Sequence, residues 1–492
     1  MNARVPRRAA AALALALAAA QPACTTAPAT GETVFTGGMS GDKAKKLGAR
    51  EHDKILKKFG GPYKEGNLEG YIQDLGQELA AKSEEPEKDW TFTLLDTPMV
   101  NAFALPGGYI YVTRGLVAVA QSEAQLAGVI GHEIGHVTAR HSAARYGSGL
   151  VAKGAGLAAG ILLGRGGARA ASILGSVAMS AYSREQEFEA DKLGVRYATR
   201  AGYDADGMAK LLENMGAHSK LQAELRGEEH SEEFNLLATH PRTPKRVREA
   251  AAEAKTKQPE TPVVGREAYL DAVDGMLFGH GPDQGFTRGR DFLHPELRLA
   301  FTVPEGFRLF NSARQVVARN PESGTIIFDA PGKDASTDPM RHLRAEWTRG
   351  TRLADVERMT INGMRAASGA LRIDTKGGPQ AVRLVVIRYD ADRIYRFAFL
   401  APMDRAETLM AAYERSARSF RKLSAADAAE LEPKRLTVHP VSAGAAVATL
   451  AERMAFEELK PQRFRVLNSL AERAARYPHA RVKLVTQPAK TP

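Results

Sequence analysis

One helix in the chain carries two histidines at a spacing that constrains everything packed around it. Residues 122–141 show regular helical periodicity, with Ser122 and Gln125 at the positions of a capping box. The same segment contains His132-Glu133-Ile134-Gly135-His136. Residues four apart on a helix point the same way, with Cβ atoms about 5–6 Å apart. The chain must therefore fold around a helix that presents two imidazoles to one point.

This pair of histidines suits a zinc ion. Neutral imidazoles bind Zn²⁺ at about 2.0–2.1 Å, and a helix holds His132 and His136 close enough to share one ion. Glu133 follows the first histidine, where its carboxylate can take a proton from an activated water. Two surface histidines around an acid would give the same spacing without any chemistry. We expect one zinc ion per chain, with Glu133 as the general base.

A catalytic zinc site requires a third protein ligand and one open position. The arrangement H-E-x-x-H-x-x-G-x-x-H is excluded, because Ala139 stands where it needs glycine and Ser142 where it needs histidine. His141 falls one position short, and we expect it to be a solvated histidine at the helix end. The third ligand must then come from another element.

A second, acidic helix supplies candidates for that ligand. Glu185, Glu187 and Glu189 all lie in the helical segment 183–201, and periodicity alone does not choose among them. Glu187 and Asp191 are four residues apart, so one carboxylate could bind metal while the other orients a ligating imidazole. The residue pattern alone does not decide which carboxylate binds the metal.

The N-terminus predicts export. Residues 1–23 have a basic start, an apolar stretch too short to span a membrane, and small residues before Cys24. Cys24, the single cysteine, fits the position at which a bacterial lipoprotein is cleaved and acylated. Cleavage after residue 20 or 29 would instead leave it unmodified or remove it. We expect a protein of the bacterial periplasm, attached to the outer membrane through lipid on Cys24.

The remaining sequence predicts an α+β chain of several domains. A formal net charge of +11 spread over 492 residues indicates no nucleic-acid partner. The predicted segments are a signal peptide (1–23), a tether (24–43), a mainly helical domain (44–255), a linker and connecting segment (256–295), an α+β accessory domain (296–425) and a strand–helix–helix–strand tail (431–487). A Gly- and Ala-rich stretch at 149–181 predicts a helical hairpin, packed in the core or lying at a membrane or substrate surface.

Several separated motifs resemble one zinc metallopeptidase family, that of the CAAX prenyl endopeptidases and HtpX, and especially its periplasmic and lipoprotein members. Over about residues 45–255 they follow the family's order: Asn101-Ala102-Phe103-Ala104-Leu105-Pro106-Gly107-Gly108, Thr113-Arg114-Gly115-Leu116, His132-Glu133-x-x-His136, Glu187-x-x-x-Asp191, and Thr239-His240-Pro241 with Arg246. The resemblance implies a mainly helical, gluzincin-type zinc peptidase domain with a small sheet that ends in an edge strand.

The resemblance also implies roles for individual residues. Glu187 would be the third zinc ligand, and Asp191 would support a ligand histidine. Asn101-Ala102 would lie on an edge strand that pairs with an extended substrate. His240 and Arg246 would approach the zinc pocket and assist catalysis. In some relatives the histidine at the position of His240 can occupy the open zinc position and keep the enzyme latent.

The tail resembles a LysM module, a small peptidoglycan-binding fold. Val441–Gly444, Leu467–Leu470 and Val482–Val485 occur in the order of that module. The resemblance implies a small βααβ domain in contact with peptidoglycan, although Ala445-Ala446 replaces the Asp-Thr that usually follows the glycine.

Together these features predict an exported zinc endopeptidase that hydrolyses peptide bonds of unfolded or misassembled cell-envelope proteins. Two alternatives stay open. The chain could be a catalytically silent chaperone or scaffold that binds extended chains along the edge strand, or a cell-wall hydrolase directed by its tail. The complete ligand set favours the peptidase, because silent relatives of enzymes typically lose one such residue.

Overall fold

The computed structural model describes residues 23–149, 182–226, 240, 244–320, 324–332, 335–375 and 378–488. The predicted signal peptide and the hairpin predicted over 149–181 lie outside these residues, apart from residues 23 and 149. The chain forms two compact units. The first combines the described residues up to Met276 with Arg435–Thr486, and the second contains Leu277–Lys434. Helices and sheets in more than one unit confirm the prediction of an α+β, multidomain chain.

The first unit places helices around a small sheet. Its elements up to residue 276 are β1 (Cys24–Thr26), β2 (Thr33–Phe35), α1 (Gly41–Lys58), α2 (Leu68–Ala80), β3 (Thr91–Leu95), β4 (Ala102–Leu105), β5 (Tyr109–Thr113), α3 (Arg114–Val119), α4 (Glu123–Thr138), α5 (Arg184–Arg200), α6 (Gly207–Arg226), α7 (Pro244–Lys257) and α8 (Arg266–Val273). Residues 141–149 are also helical. β5 pairs in parallel with β3 and antiparallel with β4. Within the described ranges, no helix is long and apolar enough to cross a membrane.

Where the sequence predicts a tether, the structure has a β-hairpin. β1 and β2 pair antiparallel, and Ala27 between them is fully buried. The amide of Ala29 donates to the carbonyl of Thr138 at the end of α4, at 3.3 Å. Cys24 is half-buried at the start of β1. The predicted domain boundaries stay predictions, since the structure groups the chain by its contacts into two units.

Helix α4 carries the H-E-x-x-H sequence through the middle of the first unit. Ser122 caps it by accepting a hydrogen bond from the amide of Gln125, as predicted. The Gln125 side chain does not return this bond to Ser122, because it accepts instead from the amide of Gln121 at 3.0 Å. Every residue of α4 after Glu123 is buried, because the helix packs against α2, α5, α6 and β4. The polar residues of its motif are therefore enclosed within the unit.

Helices α4 and α5 approach closely because glycines line their contact. A Cβ atom added at Gly194 of α5 would lie 2.8 Å from the backbone nitrogen of His132 and 2.9 Å from the carbonyl oxygen of Gly128. A Cβ atom added at Gly131 would lie 3.0 Å from the carbonyl oxygen of Gly194. The two backbones are closer than side chains would allow. This contact places the acidic residues of α5 beside the histidines of α4.

The second unit is rich in β-structure. Its elements are β6 (Leu277–Phe278), β7 (Phe286–Arg288), β8 (Asp291–His294), β9 (Leu299–Thr302), β10 (Arg308–Asn311), β11 (Gln315–Asn320), β12 (Gly324–Asp329), a short helix (Pro339–Arg341) that continues as a π-helix (His342–Trp347), β13 (Ala354–Ile361), β14 (Met364–Thr375), β15 (Gly378–Arg388), β16 (Ile394–Pro402), α9 (Ala406–Arg418), β17 (Arg421–Lys422) and α10 (Ala425–Ala429). One antiparallel sheet has the order β10-β11-β12-β16-β15-β14-β13, and another β17-β9-β8-β7. Phe301, Phe328 and Phe397 lie in its main core.

The tail has the predicted order of strand, two helices and strand: β18 (Lys434–Pro440), α11 (Val447–Glu452), α12 (Lys460–Leu467) and β19 (Arg481–Thr486). Lys483 of β19 is fully buried, and its Nζ donates to the carbonyls of Ala118 and Ala120, where α3 ends. The side-chain amide of Gln121 donates to the carbonyl of Leu467 at 2.9 Å. The tail is therefore part of the first unit. Its relation to LysM modules stays a prediction.

We expect Gly194→Ala to destabilise the first unit by about 1–3 kcal/mol, the usual cost of overpacking a core. The added methyl group would meet backbone atoms of α4, which cannot rotate away as a side chain could. The free energy of unfolding, from denaturant titration, measures the effect. Gly41→Ala is the control, because no atom lies within 4 Å of a Cβ atom added there. Equal stability of the two variants would contradict this account of the helix contact.

Candidate metal centre

Four potential metal ligands converge inside the first unit. His132 and His136 come from α4, Glu187 from the first turn of α5, and His240 from the residues before α7; all four are buried. His132 Nε2 lies 3.0 Å from His136 Nε2 and 3.2 Å from His240 Nδ1. Glu187 Oε1 lies 2.9 Å from His240 Nδ1 and 3.6 Å from His136 Nε2. The structure thus brings together the three predicted ligands and His240.

These separations suit one tetrahedral zinc ion. Donor atoms about 2.0–2.2 Å from such an ion lie roughly 3.3–3.6 Å from one another. The contacts of His132 and of Glu187 with the other ligands run from 2.9 to 3.8 Å, and all four ligand atoms lie within 4.8 Å of one another. Two histidines and a glutamate form a donor set of catalytic zinc sites. Burial lowers the pKa of His136 well below its ordinary value, so its imidazole is neutral, the form that binds metal. The residues present therefore fit zinc.

Glu133 lies beside this cluster, and its carboxylate accepts no hydrogen bond from the described residues. The side chain is fully buried, and neither of its carboxylate oxygens has a hydrogen-bond partner among the described residues. Its Oε1 lies 3.5 Å from His240 Nε2. An unsatisfied buried carboxylate costs free energy, and such groups concentrate where a ligand or water supplies the missing partner. The position of Glu133 is thus compatible with proton transfer.

Arg246 supplies positive charge to the acidic side of the cluster. Its Nε and Nη2 donate to the two carboxylate oxygens of Asp191 at 2.8 and 2.7 Å, and its Nη1 lies 2.5 Å from Glu187 Oε2. Asp191 Oδ1 also lies 3.0 Å from His132 Nδ1. Burial opposes ionisation of Asp191, but the hydrogen bonds from Arg246 and His132 hold the pKa of its carboxyl below the ordinary value. Asp191 can therefore orient His132, whose other ring nitrogen faces the cluster.

The predicted substrate strand lies at one edge of the small sheet. β4 begins at Ala102, which is buried, and pairs with β5. Asn101 precedes it and accepts a hydrogen bond from the amide of Thr113 at 3.0 Å. The Asn101 carboxamide is buried, and in the part of the chain that the structure describes neither its nitrogen nor its oxygen has a partner. Because β4 packs against α4, this strand borders the helix that carries the cluster.

The surroundings of His136 differ from the prediction. His141 is buried instead of solvated, because Arg140 adopts a left-handed conformation (φ 61°) and turns the chain back toward α4. The Nδ1 atoms of His136 and His141 lie 3.0 Å apart, and His141 Nε2 lies 2.9 Å from Glu189 Oε2. Tyr182 stacks on His136 with ring centroids 3.7 Å apart. Nothing periodic in the sequence points to Tyr182, and His141 is visible there only as an extra histidine near the motif.

Of the three glutamates that the sequence leaves open, only Glu187 faces the cluster. Glu185 is exposed in the first turn of α5, and Glu189 contacts His141 instead. Cys24 belongs to the hairpin of β1 and β2. The predicted lipidation site is thus carried by a different element from the potential metal ligands.

We expect Arg246→Ala to destabilise the metal-free protein by about 3–5 kcal/mol, the usual cost of leaving a buried charge unpaired. The change removes the guanidinium that contacts both Asp191 and Glu187. Denaturant unfolding in the presence of a chelator measures the loss. Arg248→Ala, which removes an exposed arginine from the same helix, should stay within about 0.5 kcal/mol of the wild type. A similar small effect at Arg246 would contradict its role as the buried counter-charge.

Comparison with known proteins bears on the same part of the chain. Residues 67–254 match the model of Peptidase family M48. A putative beta-barrel assembly-enhancing protease of Vibrio cholerae is 34% identical over 202 residues, which cover 39% of this chain and 40% of that protein. The beta-barrel assembly-enhancing protease of Yersinia pestis is 28% identical over 274 residues, covering 51% and 53%. The mitochondrial metalloendopeptidase OMA1 of Schizosaccharomyces pombe is 28% identical over 178 residues, covering 36% and 50%.

The chain therefore spans about half the length, or less, of the curated relatives that it matches. All three similarities are to proteins named as proteases or endopeptidases. The family match over residues 67–254, these relatives and the buried His-His-Glu-His group together support a zinc metallopeptidase family for this part of the chain.

Proposed function

We propose that the protein is a zinc-dependent endopeptidase of the bacterial cell envelope. The observation that carries the proposal is the buried convergence of His132, His136, Glu187 and His240 beside Glu133, whose carboxylate has no hydrogen-bond partner among the described residues. A metal site that served stability alone would not need a buried carboxylate with no partner next to its ligands. General-base chemistry gives that carboxylate a function.

The proposed reaction divides the work between the ion and the side chains. Zinc, when bound by His132, His136 and Glu187, supplies a Lewis acid that polarises the scissile carbonyl and acidifies water. Glu133 takes a proton from the attacking water and gives it to the leaving amine, so that the C–N bond breaks and a carboxylate and an amine are released. Arg246 forms ion pairs with Glu187 and Asp191, and it can donate toward the carbonyl oxygen.

The proposed role of His240 is to block the site, in place of the assistance to catalysis that the family resemblance implies. Its Nδ1 lies within 3.2 Å of donor atoms of both His132 and Glu187, where a fourth zinc ligand would be. A catalytic zinc site keeps that position open for water. We therefore propose that the described arrangement is a latent one, and that His240 moves away before substrate is cleaved.

The proposed substrates are unfolded or misassembled envelope proteins. Among the described residues β4 is an outer strand of its sheet, although it is buried in the described arrangement. An extended chain can add to this edge by main-chain hydrogen bonds, with the Asn101 carboxamide as a further donor and acceptor. Recognition through the main chain requires that the substrate be unfolded locally, because folded proteins keep those groups paired. The names of the bacterial relatives, which refer to assembly of β-barrel proteins, support substrates from the cell envelope.

The proposed location is the periplasm, with attachment to the outer membrane by lipid on Cys24. This part of the proposal is supported by the sequence before Cys24 and by the similarity to bacterial proteases named for β-barrel assembly. Contact of the LysM-like tail with peptidoglycan stays a prediction. The buried contacts of Lys483 and Leu467 assign part of the tail surface to packing within the first unit.

The two alternative functions differ from a peptidase in their products. A scaffold or chaperone would suppress aggregation of unfolded proteins without cleaving them, and Glu133 would be dispensable. A cell-wall hydrolase would release soluble fragments from purified peptidoglycan. The buried carboxylate of Glu133 favours the peptidase over the scaffold, because a binding surface has no use for it.

We expect Glu133→Gln to lower cleavage of unfolded casein by about 10²–10⁴-fold, the usual contribution of a general base. Zinc content should stay that of the wild type, because the change keeps the shape of the side chain and leaves the ligands in place. Peptide release over time and metal analysis of the same samples are the two measurements.

Glu185→Gln provides a matched control, since Glu185 is exposed on α5 and should be silent. A chelator should abolish wild-type cleavage, and added zinc should restore it. The proposed function is refuted if wild type and Glu133→Gln cleave casein equally and a chelator does not affect either reaction. Fragments released from peptidoglycan, with casein intact, would favour the cell-wall hydrolase.

We expect His240→Ala to raise the rate of casein cleavage by about tenfold or more. Removal of a blocking ligand gives that gain when the open form makes up ~10% or less of the protein. The comparison uses initial rates at equal zinc content, with His218→Ala on α6 as a histidine control outside the cluster. A fall in the rate would instead assign His240 to catalysis and contradict latency.

A further inference from the structure

A line of three side chains leads away from the proposed zinc site through His136. The Nδ1 atom of His136 faces His141 Nδ1 at 3.0 Å, and the other ring nitrogen of His141 lies 2.9 Å from Glu189 Oε2. His136 and His141 are buried, whereas the Glu189 side chain is one-third exposed. Neither His141 nor Glu189 belongs to the potential ligand group. The line therefore supports a ligand histidine from outside the site.

The direction of both hydrogen bonds follows if His141 carries a single proton. A carboxylate can only accept, so His141 must carry its proton on Nε2 and donate it to Glu189. A neutral His141 then has a bare Nδ1, which can only accept. His136 must therefore donate from Nδ1, which leaves the lone pair of its Nε2 directed at the cluster.

We propose that Glu189 and His141 are positioning residues that select the metal-binding tautomer of His136. This inference rests on the proposed zinc site. It assigns a role to two residues that contact neither the ion nor the reacting atoms. Zinc requires a deprotonated Nε2 on His136, and a relay that holds the proton on Nδ1 supplies that form before the ion arrives.

Two further contacts hold the relay in place. Arg140, in its left-handed conformation, forms a two-point ion pair with Glu85 at 3.1 and 3.2 Å, which anchors the turn that brings His141 back to α4. Tyr182 stacks on His136 at an interplanar angle of 12°, so that the plane of the imidazole is fixed as well as its tautomer. The proton position and the ring orientation of His136 thus have separate determinants.

The two ligand histidines of α4 are supported in different ways. His132 Nδ1 faces the carboxylate of Asp191 directly, at 3.0 Å, within the buried network of Arg246. The Nδ1 atom of His136 instead faces His141, which contacts the carboxylate of Glu189, and that carboxylate is partly in solvent. Changes at Glu189 should therefore affect the site without disturbing the buried charges around Asp191.

The direct test is the tautomer of the histidine rings in the full-length protein, measured before and after zinc is added. Nitrogen-15 chemical shifts distinguish a protonated ring nitrogen from a bare one. We expect His141 to be neutral with its proton on Nε2, and His136 to carry a proton on Nδ1. A proton on His141 Nδ1 would overturn the proposal, because His136 would then have no acceptor.

Zinc affinity supplies a second readout, measured by competition with a chromophoric chelator. We expect His141→Ala to weaken zinc binding by about 10–100-fold, the range for loss of such a partner. Glu189→Ala should weaken it by less, because His141 keeps both tautomers available. Glu189→Gln, whose amide oxygen can still accept, should stay close to the wild type. Combining His141→Ala with Glu189→Ala should weaken zinc binding by the same factor as His141→Ala alone, because Glu189 acts on His136 through His141.

Glu185→Ala removes an exposed glutamate from the same helix and is the matched control for zinc affinity. Unchanged affinity in both His141→Ala and Glu189→Ala would overturn the relay while leaving the proposed function intact. A wild-type protein that binds no zinc would overturn the proposed function and the relay with it. If His141→Ala does not fold, the two Glu189 variants and the tautomer measurement still decide the question.

Discussion

The glycine-lined contact of α4 and α5 is the constraint on which the whole site depends. Helices pack at distances set by the side chains between them. Gly131 and Gly194 have no side chains to separate the two helices. The backbones therefore come together, and the short carboxylates of α5 reach the imidazoles of α4. Residues that are far apart in the sequence become one set of donors through this contact. The rest of the first unit, including α7 with Arg246, is arranged around that pair of helices.

Burying charged side chains in this site costs folding free energy. Glu133, Glu187 and Asp191 bring three carboxylates into a region where Arg246 supplies one buried guanidinium. Unpaired buried charges cost several kcal/mol each, and the packing of the surrounding helices has to offset that cost. A divalent cation bound there would place positive charge beside Glu187 and Asp191, whose pKa values lie below the ordinary ones. Metal binding and folding of this region should therefore be linked, since the ion binds only to the assembled donors.

Local patterns in the sequence predict the parts of this site that depend on helical spacing. The two histidines of α4 follow from their four-residue separation, whereas the choice of Glu187 over its neighbours came from the family resemblance and not from periodicity. His141 is misassigned because one left-handed residue, Arg140, reverses the chain, and its conformation has no strong sequence signal. β14 of the second unit is also not predicted, because its centre consists of small residues that become a strand by pairing with β13 and β15. Such features depend on tertiary contacts that a window of residues does not contain.

The buried side-chain nitrogen of Lys483 affects the order in which parts of the first unit can fold while the chain is being synthesised. It satisfies the carbonyls at the end of α3, and α3 leads directly into α4. Domains generally fold as units from the N-terminus while the chain is being made. Here the group that caps α3 leaves the ribosome only after the whole β-rich unit between residues 277 and 434 has been synthesised. A nascent chain thus lacks a contact of its first unit until Lys483 has been synthesised, so that the helix with two of the potential metal ligands is made long before the unit around it is complete.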